Sequence, residues 1–418
     1  MMKPVNAFAL LLVSLSGASA ENWPQWRGPN LNSTSGETNL PVRWSPDDNI
    51  AWKLPMPAWS GSTPIIWEDR VFLNVADSGS LYLWCVNRRG PSIEWKRLLG
   101  GGDHKERKQN MSSPSPVTDG KNVWVMTGTG ILKGFDFAGN ERWGRDIQKD
   151  YGRFGLNWGY ASSPVLWEDS LYVQVLHGMR TKDPSYLLRI DKTTGKTLWR
   201  VERHTPAIVE SPDSYSTPAI AKVGKEAELI VLGGDVVTGH DLKTGEELWR
   251  MTGFNPDNDR NYRTIASATY YDGLVYAPTR ERPLQVFKAG GRGDITGTNL
   301  AWRFQNGPDV PTPVVGGKYF YSFNDRGIVW CLDAKTGQEI YGRQRIKPGT
   351  YSASPVLADG KIYITNEDGV TTVLKAGPQF EILAENNMND YCLGSIAVSQ
   401  GQLFLRTATT LYCIGKHK

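Results

Sequence analysis

The segment R-I-D-K-T-T-G-K-T-L-W-R, Arg189 to Arg200, constrains the fold more than any other stretch. It recurs as H-D-L-K-T-G-E-E-L-W-R from His240 and as L-D-A-K-T-G-Q-E-I-Y-G-R from Leu332. Asp191 to Trp199, Asp241 to Trp249 and Asp333 to Tyr341 are each eight residues apart. Self-similarity at fixed spacing is the mark of a repeat architecture. An Asp and a Thr-Gly between two apolar alternating runs form a tight turn joining two strands. Glycine supplies the left-handed conformation, and Asp and Thr bond the turn backbone.

A second motif keeps step with the first. It is Ser-x-Pro or Ser-Pro, opening an apolar strand. It occurs, with variants and counted at the last residue of each, at Ser62-Thr63-Pro64, Ser115-Pro116, Ser163-Pro164, Ser216-Thr217-Pro218, Ser267-Ala268, Thr312-Pro313, Ser354-Pro355 and Ser395-Ile396. Successive anchors lie 52, 48, 54, 50, 45, 42 and 41 residues apart. Eight copies of a four-strand unit predict an all-β, eight-bladed β-propeller of antiparallel blades. The last unit, from Tyr391, lacks a fourth strand, and Asn49 to Leu54 is a strand without a unit. Pairing the two would close the ring and remove an exposed edge. The 44 Gly, 25 Pro, 16 Trp and 17 Tyr suit many short strands and tight turns.

The expected organisation is an export signal over 1–20, an extended arm over 21–46 and one propeller over 47–416. Lys3 is the only charge before an apolar run from Ala7 to Leu15, and Ala18-Ser19-Ala20 gives a small-x-small cleavage site. The mature chain is expected outside the cytoplasm, periplasmic or extracellular. No later span is apolar enough for a membrane helix, and no Cys follows the cleavage point to carry a lipid anchor. Losing Lys3 takes the formal charge from +4 to +3, which gives no support to nucleic-acid binding. A monomer is expected. Cys85, Cys331 and Cys413 share one repeat position and read as buried thiols rather than disulfide partners. A bridge between Cys392 and Cys413, in one repeat, has less support.

The repeated aromatics Trp52, Trp95, Trp143, Trp199, Trp249, Trp302 and Tyr341 end the fourth strand of each unit, and the seventh unit offers only Phe380 and Ile382 there. Seven rings spread round a propeller cannot face one small ligand, so they read as blade-docking residues. D-x-x-T-G-x-x-L-W with a preceding Ser-Pro strand resembles the pyrroloquinoline-quinone (PQQ) enzyme repeat with its tryptophan-docking motif, over nearly all of the chain from Asn49. The resemblance implies one of two functional classes. One comprises quinoprotein dehydrogenases acting on alcohols or sugars, which hold PQQ and Ca²⁺. The other comprises non-catalytic propellers similar to the scaffold subunit of the outer-membrane β-barrel assembly machinery. The arm W-P-Q-W-R-G-P-N resembles the start of exported bacterial proteins with these repeats.

The adjacent-cysteine pair usual in the dehydrogenases is missing from the sequence, and so are their insertions and a C-x-x-C-H haem motif. The five His show no paired spacing, and Asn255 to Asn261 lacks the Gly and Glu of a calcium loop, so no metal site and no catalytic residue is assigned. The preferred reading is a non-catalytic exported binding or scaffold module; the alternative is a PQQ-dependent oxidoreductase with a reduced pocket. Binding is expected on the face that collects the fourth-to-first and second-to-third strand loops. Its candidate residues are Trp59, Asn110, Trp158, Tyr160, Tyr215, Arg263, Arg280, Arg282, Arg326, Tyr351 and Tyr391. Arg forks over aromatic faces suit a protein partner or an anionic polymer.

Overall fold

In the computed structural model, which describes residues 21–280 and 282–416, eight antiparallel sheets succeed one another along the chain. The predicted signal segment lies outside the described residues. Seven blades each take their four strands from one continuous stretch of chain. Blade 3, for example, runs Val165–Trp167, Ser170–Val175, Tyr186–Asp191 and Thr197–Glu202. Blade 8 takes three strands from the C-terminal end, and its outer strand is Ile50–Pro55, paired antiparallel with Thr410–Ile414. The expected all-β, eight-bladed ring and its closure by the two ends are both present.

The anchor hydroxyls form a hoop round the channel. Each anchor's backbone N–H donates to the anchor hydroxyl of the following blade: Thr63 to Ser115 (3.0 Å), Ser115 to Ser163 (2.9 Å), Ser163 to Thr217 (3.0 Å) and Thr217 to Ser267 (2.9 Å). The chain of bonds continues through Thr312 and Ser354 to Ser395. The Thr63 hydroxyl is buried with no partner among the described residues, so the hoop opens between blades 8 and 1. An inner strand of two to five residues lacks the ladder to define its own position, and the hoop supplies it.

The repeated turn is built as its composition requires. Asp191 Oδ1 accepts from the Thr193 and Thr194 N–H groups and the Thr194 hydroxyl, and Asp241 and Asp333 repeat the pattern at Thr244 and Thr336. Gly195 adopts φ +71°, and a Cβ there would lie 2.6 Å from the Trp143 ring of the preceding blade. That is why the turn is Thr-Gly: the neighbouring indole lies flat on the glycine. The indole N–H then donates to the carbonyl just after the turn Asp position. The pairs are Trp52 to Arg88, Trp95 to Phe137, Trp143 to Lys192, Trp199 to Leu242 and Trp302 to Ala334.

Three joints depart from this rule, one of them because Tyr341 has no indole and its buried hydroxyl has no partner among the described residues. Trp249 Nε1 donates to Glu228 Oε2 within its own blade, at 2.8 Å. The next blade replaces its Thr-Gly turn with a longer connection, in which Gly293–Asp294 adds to blade 4 as a fifth strand parallel to its edge at Trp249 and Arg250. In blade 7 the docking register belongs to Ala384, opposite Val373, not to Phe380 or Ile382. Trp44 of the arm is buried in the same cluster, stacks on Tyr363 at 6.4 Å between centroids, and is held by its N–H to Asn386. An aromatic from outside the repeat fills the joint that the repeat leaves empty. Opposite Trp95, Tyr341 and Trp52 stand Cys85, Cys331 and Cys413, buried and free; Cys392 is buried and free as well.

Candidate functional site

The N-terminal segment decides which end of the channel is open. Glu21 accepts at its carbonyl from Ser399 of blade 8, and Trp23 exchanges two backbone bonds with Ile66 of blade 1. Pro24 accepts from Thr118 of blade 2 and Gln25 from Leu166 of blade 3. Arg27 donates to Thr269 of blade 5 and to Pro313 of blade 6, both at 3.0 Å. Ser33 accepts from Leu357 of blade 7, where Thr34–Ser35 adds a parallel strand, and the Glu37 carboxylate caps Gln400 and Gly401 back at blade 8. Bonds to seven of eight blades fix this segment as a cover across one mouth, and Trp23 is fully buried under it.

Above the cover the channel is a cavity of about 350 Å³, with Trp26 among its lining residues. The hoop residues Ser115, Ser163, Thr217, Thr312, Ser354 and Ser395 line it, with Trp158, Tyr215, Arg263, Asp309 and Asp325 contributed by the loops of the predicted face. Each hoop oxygen already accepts a backbone N–H, so its own proton remains to be donated inward. Tyr215 does likewise: its hydroxyl accepts from the Trp158 N–H at 3.1 Å, and burial holds its pKa above the ordinary phenol range. The Trp158 indole donates to Glu210 at 2.8 Å, which fixes the ring plane.

A two-stranded hairpin, Lys105–Glu106 and Gln109–Asn110, contributes Glu106, Arg107, Lys108 and Gln109 to the same lining. Arg107 lies 5.2 Å from the Trp158 ring centroid, and Lys108 Nζ reaches Glu367 Oε1 of blade 7 at 2.7 Å. Gln109 donates to the carbonyls of Trp158 and Gly159. Glu367 also accepts from Ser352 and Tyr391. The hairpin is therefore tied to both blade 7 and the Trp158 loop.

Arg263 makes a two-pronged pair with Asp309 at 3.0 and 2.9 Å, both side chains largely buried. Burial nevertheless leaves the Asp309 carboxyl above its usual pKa, with Arg263 pulling the other way. Asp213, beneath the Trp158 loop, accepts from the Asn157, Gly178 and Met179 N–H groups, and burial raises its pKa to about 6.

Of the residues singled out in the sequence, Trp158, Tyr215 and Arg263 meet in the cavity. Trp59 packs edge-on to Tyr391 at 6.4 Å, beside the hairpin's Lys105. Asn110 is buried and donates to the Trp59 carbonyl. Tyr160 and Tyr351 are turned into the protein, their hydroxyls donating to the Gln174 and Lys347 carbonyls. Arg280 sits near Asp259 and donates to the Asn261 carbonyl, Arg282 stands 4.0 Å from Asp257, and Arg326 is exposed; none of these three lines the cavity. Trp26, Arg107, Lys108, Asp309 and Glu367 escaped the sequence reading. No repeat position marks them, and the Arg263–Asp309 and Lys108–Glu367 pairs span 46 and 259 residues.

The fold family implies PQQ and Ca²⁺, and the carboxylates present do not by themselves form a metal cage. Both Asp309 oxygens are held by Arg263, and among the described residues no group of three or more His, Cys, Asp or Glu side chains is placed to hold a metal. No helix among the described residues is long and apolar enough to cross a membrane.

The architecture thus defines a closed eight-bladed propeller with a one-sided central cavity. The family profile described as "outer membrane protein assembly factor BamB" matches residues 27–179, 156–339 and 233–377, and the chain belongs to this family of PQQ-repeat propellers. No curated protein sequence matches it. Among solved structures it is similar to BamB from Moraxella catarrhalis, at 14% identity and a TM-score of 0.62, covering 88% of this chain and 97% of that one. It is also similar to a europium-containing methanol dehydrogenase, at 10% identity and a TM-score of 0.72, covering 95% and 98%. A quinohemoprotein alcohol dehydrogenase from Comamonas testosteroni gives 10% identity and a TM-score of 0.68, covering 95% and 81%. At these identities the likeness is one of fold.

Proposed function

We propose that the protein is a non-catalytic exported binding or scaffold module that takes a group of a protein partner or an anionic polymer into the cavity on its hairpin-bearing face. The observation that carries this reading is the one-sided channel. A cover bonded to seven blades shuts the lower mouth, so a ligand has one approach, past Arg107 and Lys108 and onto Trp158 and Tyr215. Aromatic and arginine side chains gathered in a concave site are what binding hot spots are made of. The cavity is too small to thread a folded chain, so the group inserted is a side chain, a chain end or a single unit of a polymer.

Arg263→Ala and Trp158→Ala test the reading together. The purified protein and each variant are used to retain partners from the exported fraction of the source cells. The reading requires that whatever the unaltered protein retains is lost or weakened at least roughly tenfold in both variants, as truncating a hot spot does. Equal retention by all three removes the cavity from the account. The rival reading, a quinone-dependent oxidoreductase, is separated by reconstitution with PQQ and Ca²⁺.

A further inference from the structure

Arg27 is the one part of the cover that its surroundings leave unsatisfied. Its side chain is 95% buried, with 5% of its surface exposed. Nη2 donates to Thr269 and Pro313, but Nε and Nη1 are buried with no partner among the described residues. No carboxylate is in reach: the pKa of the guanidinium is pushed down to about 9 by burial alone. The Trp26 ring 5.5 Å away supplies only its π-face. A charge taken from water costs several kcal/mol unless it is paired and hydrogen-bonded.

Arg27 also lines a second void of about 20 Å³, together with Gln25, Thr217 and Ser267. That volume holds one particle of water or halide size, since roughly 10–15 Å³ of probe-occupied space suffices for one water. The wall offers donors. Thr217 and Ser267 each already accept a backbone N–H at the hydroxyl, from Ser163 and Thr217 respectively, so their protons are free to be given. The Gln25 amide oxygen is occupied by the Leu166 N–H. No acidic side chain lines the void, and the remaining wall is apolar or proline.

We propose that this void is a structural anion site in which Arg27, with the Thr217 and Ser267 hydroxyls, holds a single halide-sized monovalent anion, chloride, beneath the channel floor. The ion neutralises the buried guanidinium and fastens the cover to blades 4 and 5. Carboxylates and phosphates are excluded by size. The void shares Trp26 and the Thr217 wall with the ligand cavity above, and an anion in it would take the Thr217 hydroxyl proton for itself.

The test uses bromide as a heavier substitute for chloride on the purified protein. Crystals soaked in sodium bromide should show an anomalous peak beside Arg27. The thermal midpoint should rise saturably, on the order of 1–2 °C, when sodium chloride replaces sodium gluconate at constant ionic strength. Arg27→Met should lose the chloride response. A bromide map without a peak, with only water in the void, overturns the proposal, and so does an unaltered protein with the same midpoint in both salts. The crystal measurement stands even where Arg27→Met fails to fold.

Discussion

The backbone N–H of Ser163 donates to the Thr217 hydroxyl of the next blade at 3.0 Å, while the corresponding hydroxyl of Thr63 has no partner among the described residues. Two threonines at one repeat position therefore have opposite energetic standing. Thr217→Val keeps the shape and strands a buried N–H, which costs about 1–3 kcal/mol. Thr63→Val removes a hydroxyl that is already unpaired and should be neutral or stabilising by up to about 1 kcal/mol. Urea denaturation of the two variants checks the difference; equal losses would mean that the hoop contributes nothing.

Trp44 occupies the joint between blades 7 and 8, where the repeat supplies only Ala384. Trp44→Ala should cost about 3–5 kcal/mol, in the range of a large buried side chain lost from a core. Phe380→Ala, at the half-buried position that the sequence pattern favoured, should cost less than half as much. The comparison is read from denaturation midpoints at constant slope.

The fold was legible because it repeats. Asp191, Asp241 and Asp333 predict each turn, and the hydroxyl anchors place every first strand. The ends were legible for a complementary reason, since a strand without a unit and a unit without a strand answer one another. The cover was not. W-P-Q-W-R-G-P-N has no period, and its hydrogen bonds go to residues up to 286 positions away, which no local pattern encodes. The loops grouped on one face from the sequence do gather round the cavity, yet loop side chains follow packing rather than spacing. Tyr160 and Tyr351 turned inward because their hydroxyls find carbonyls there, while Arg263 met an unforeseen Asp309. The Ser-Pro anchors were read as strand openers, and their second role as inward donors became visible only once the ring was closed.

His240 gives the repeat a pH limit. Its Nδ1 faces the Gly245 carbonyl at 3.1 Å, so that nitrogen carries the proton, and Nε2 faces the Thr238 hydroxyl at 2.9 Å. Thr238 in turn accepts from Arg203. Burial, aided by the nearby Arg203 charge, lowers the His240 pKa to about 4. With an unfolded value near 6.5, the unfolded chain binds the extra proton first. Stability from this group is complete above about pH 6.5 and is lost as pH falls from there toward 4, by an amount on the order of 2–3 kcal/mol. His240→Leu, which puts an aliphatic side chain where blade 3 has Ile190, should flatten the stability profile over that window. A variant profile with the same slope would assign the acid limb to other groups.

The measurement that bears most directly on the central claim is reconstitution of the purified protein with PQQ and Ca²⁺, followed by spectroscopy and a dye-reduction assay with alcohols and sugars. With Asp309 held by Arg263 and no cluster of three His, Cys, Asp or Glu side chains placed for a metal among the described residues, a binding module should show no retained quinone absorbance after desalting and no dye reduction above the protein-free control. Retained quinone absorbance together with substrate-dependent dye reduction would contradict that reading and make the cavity an active site.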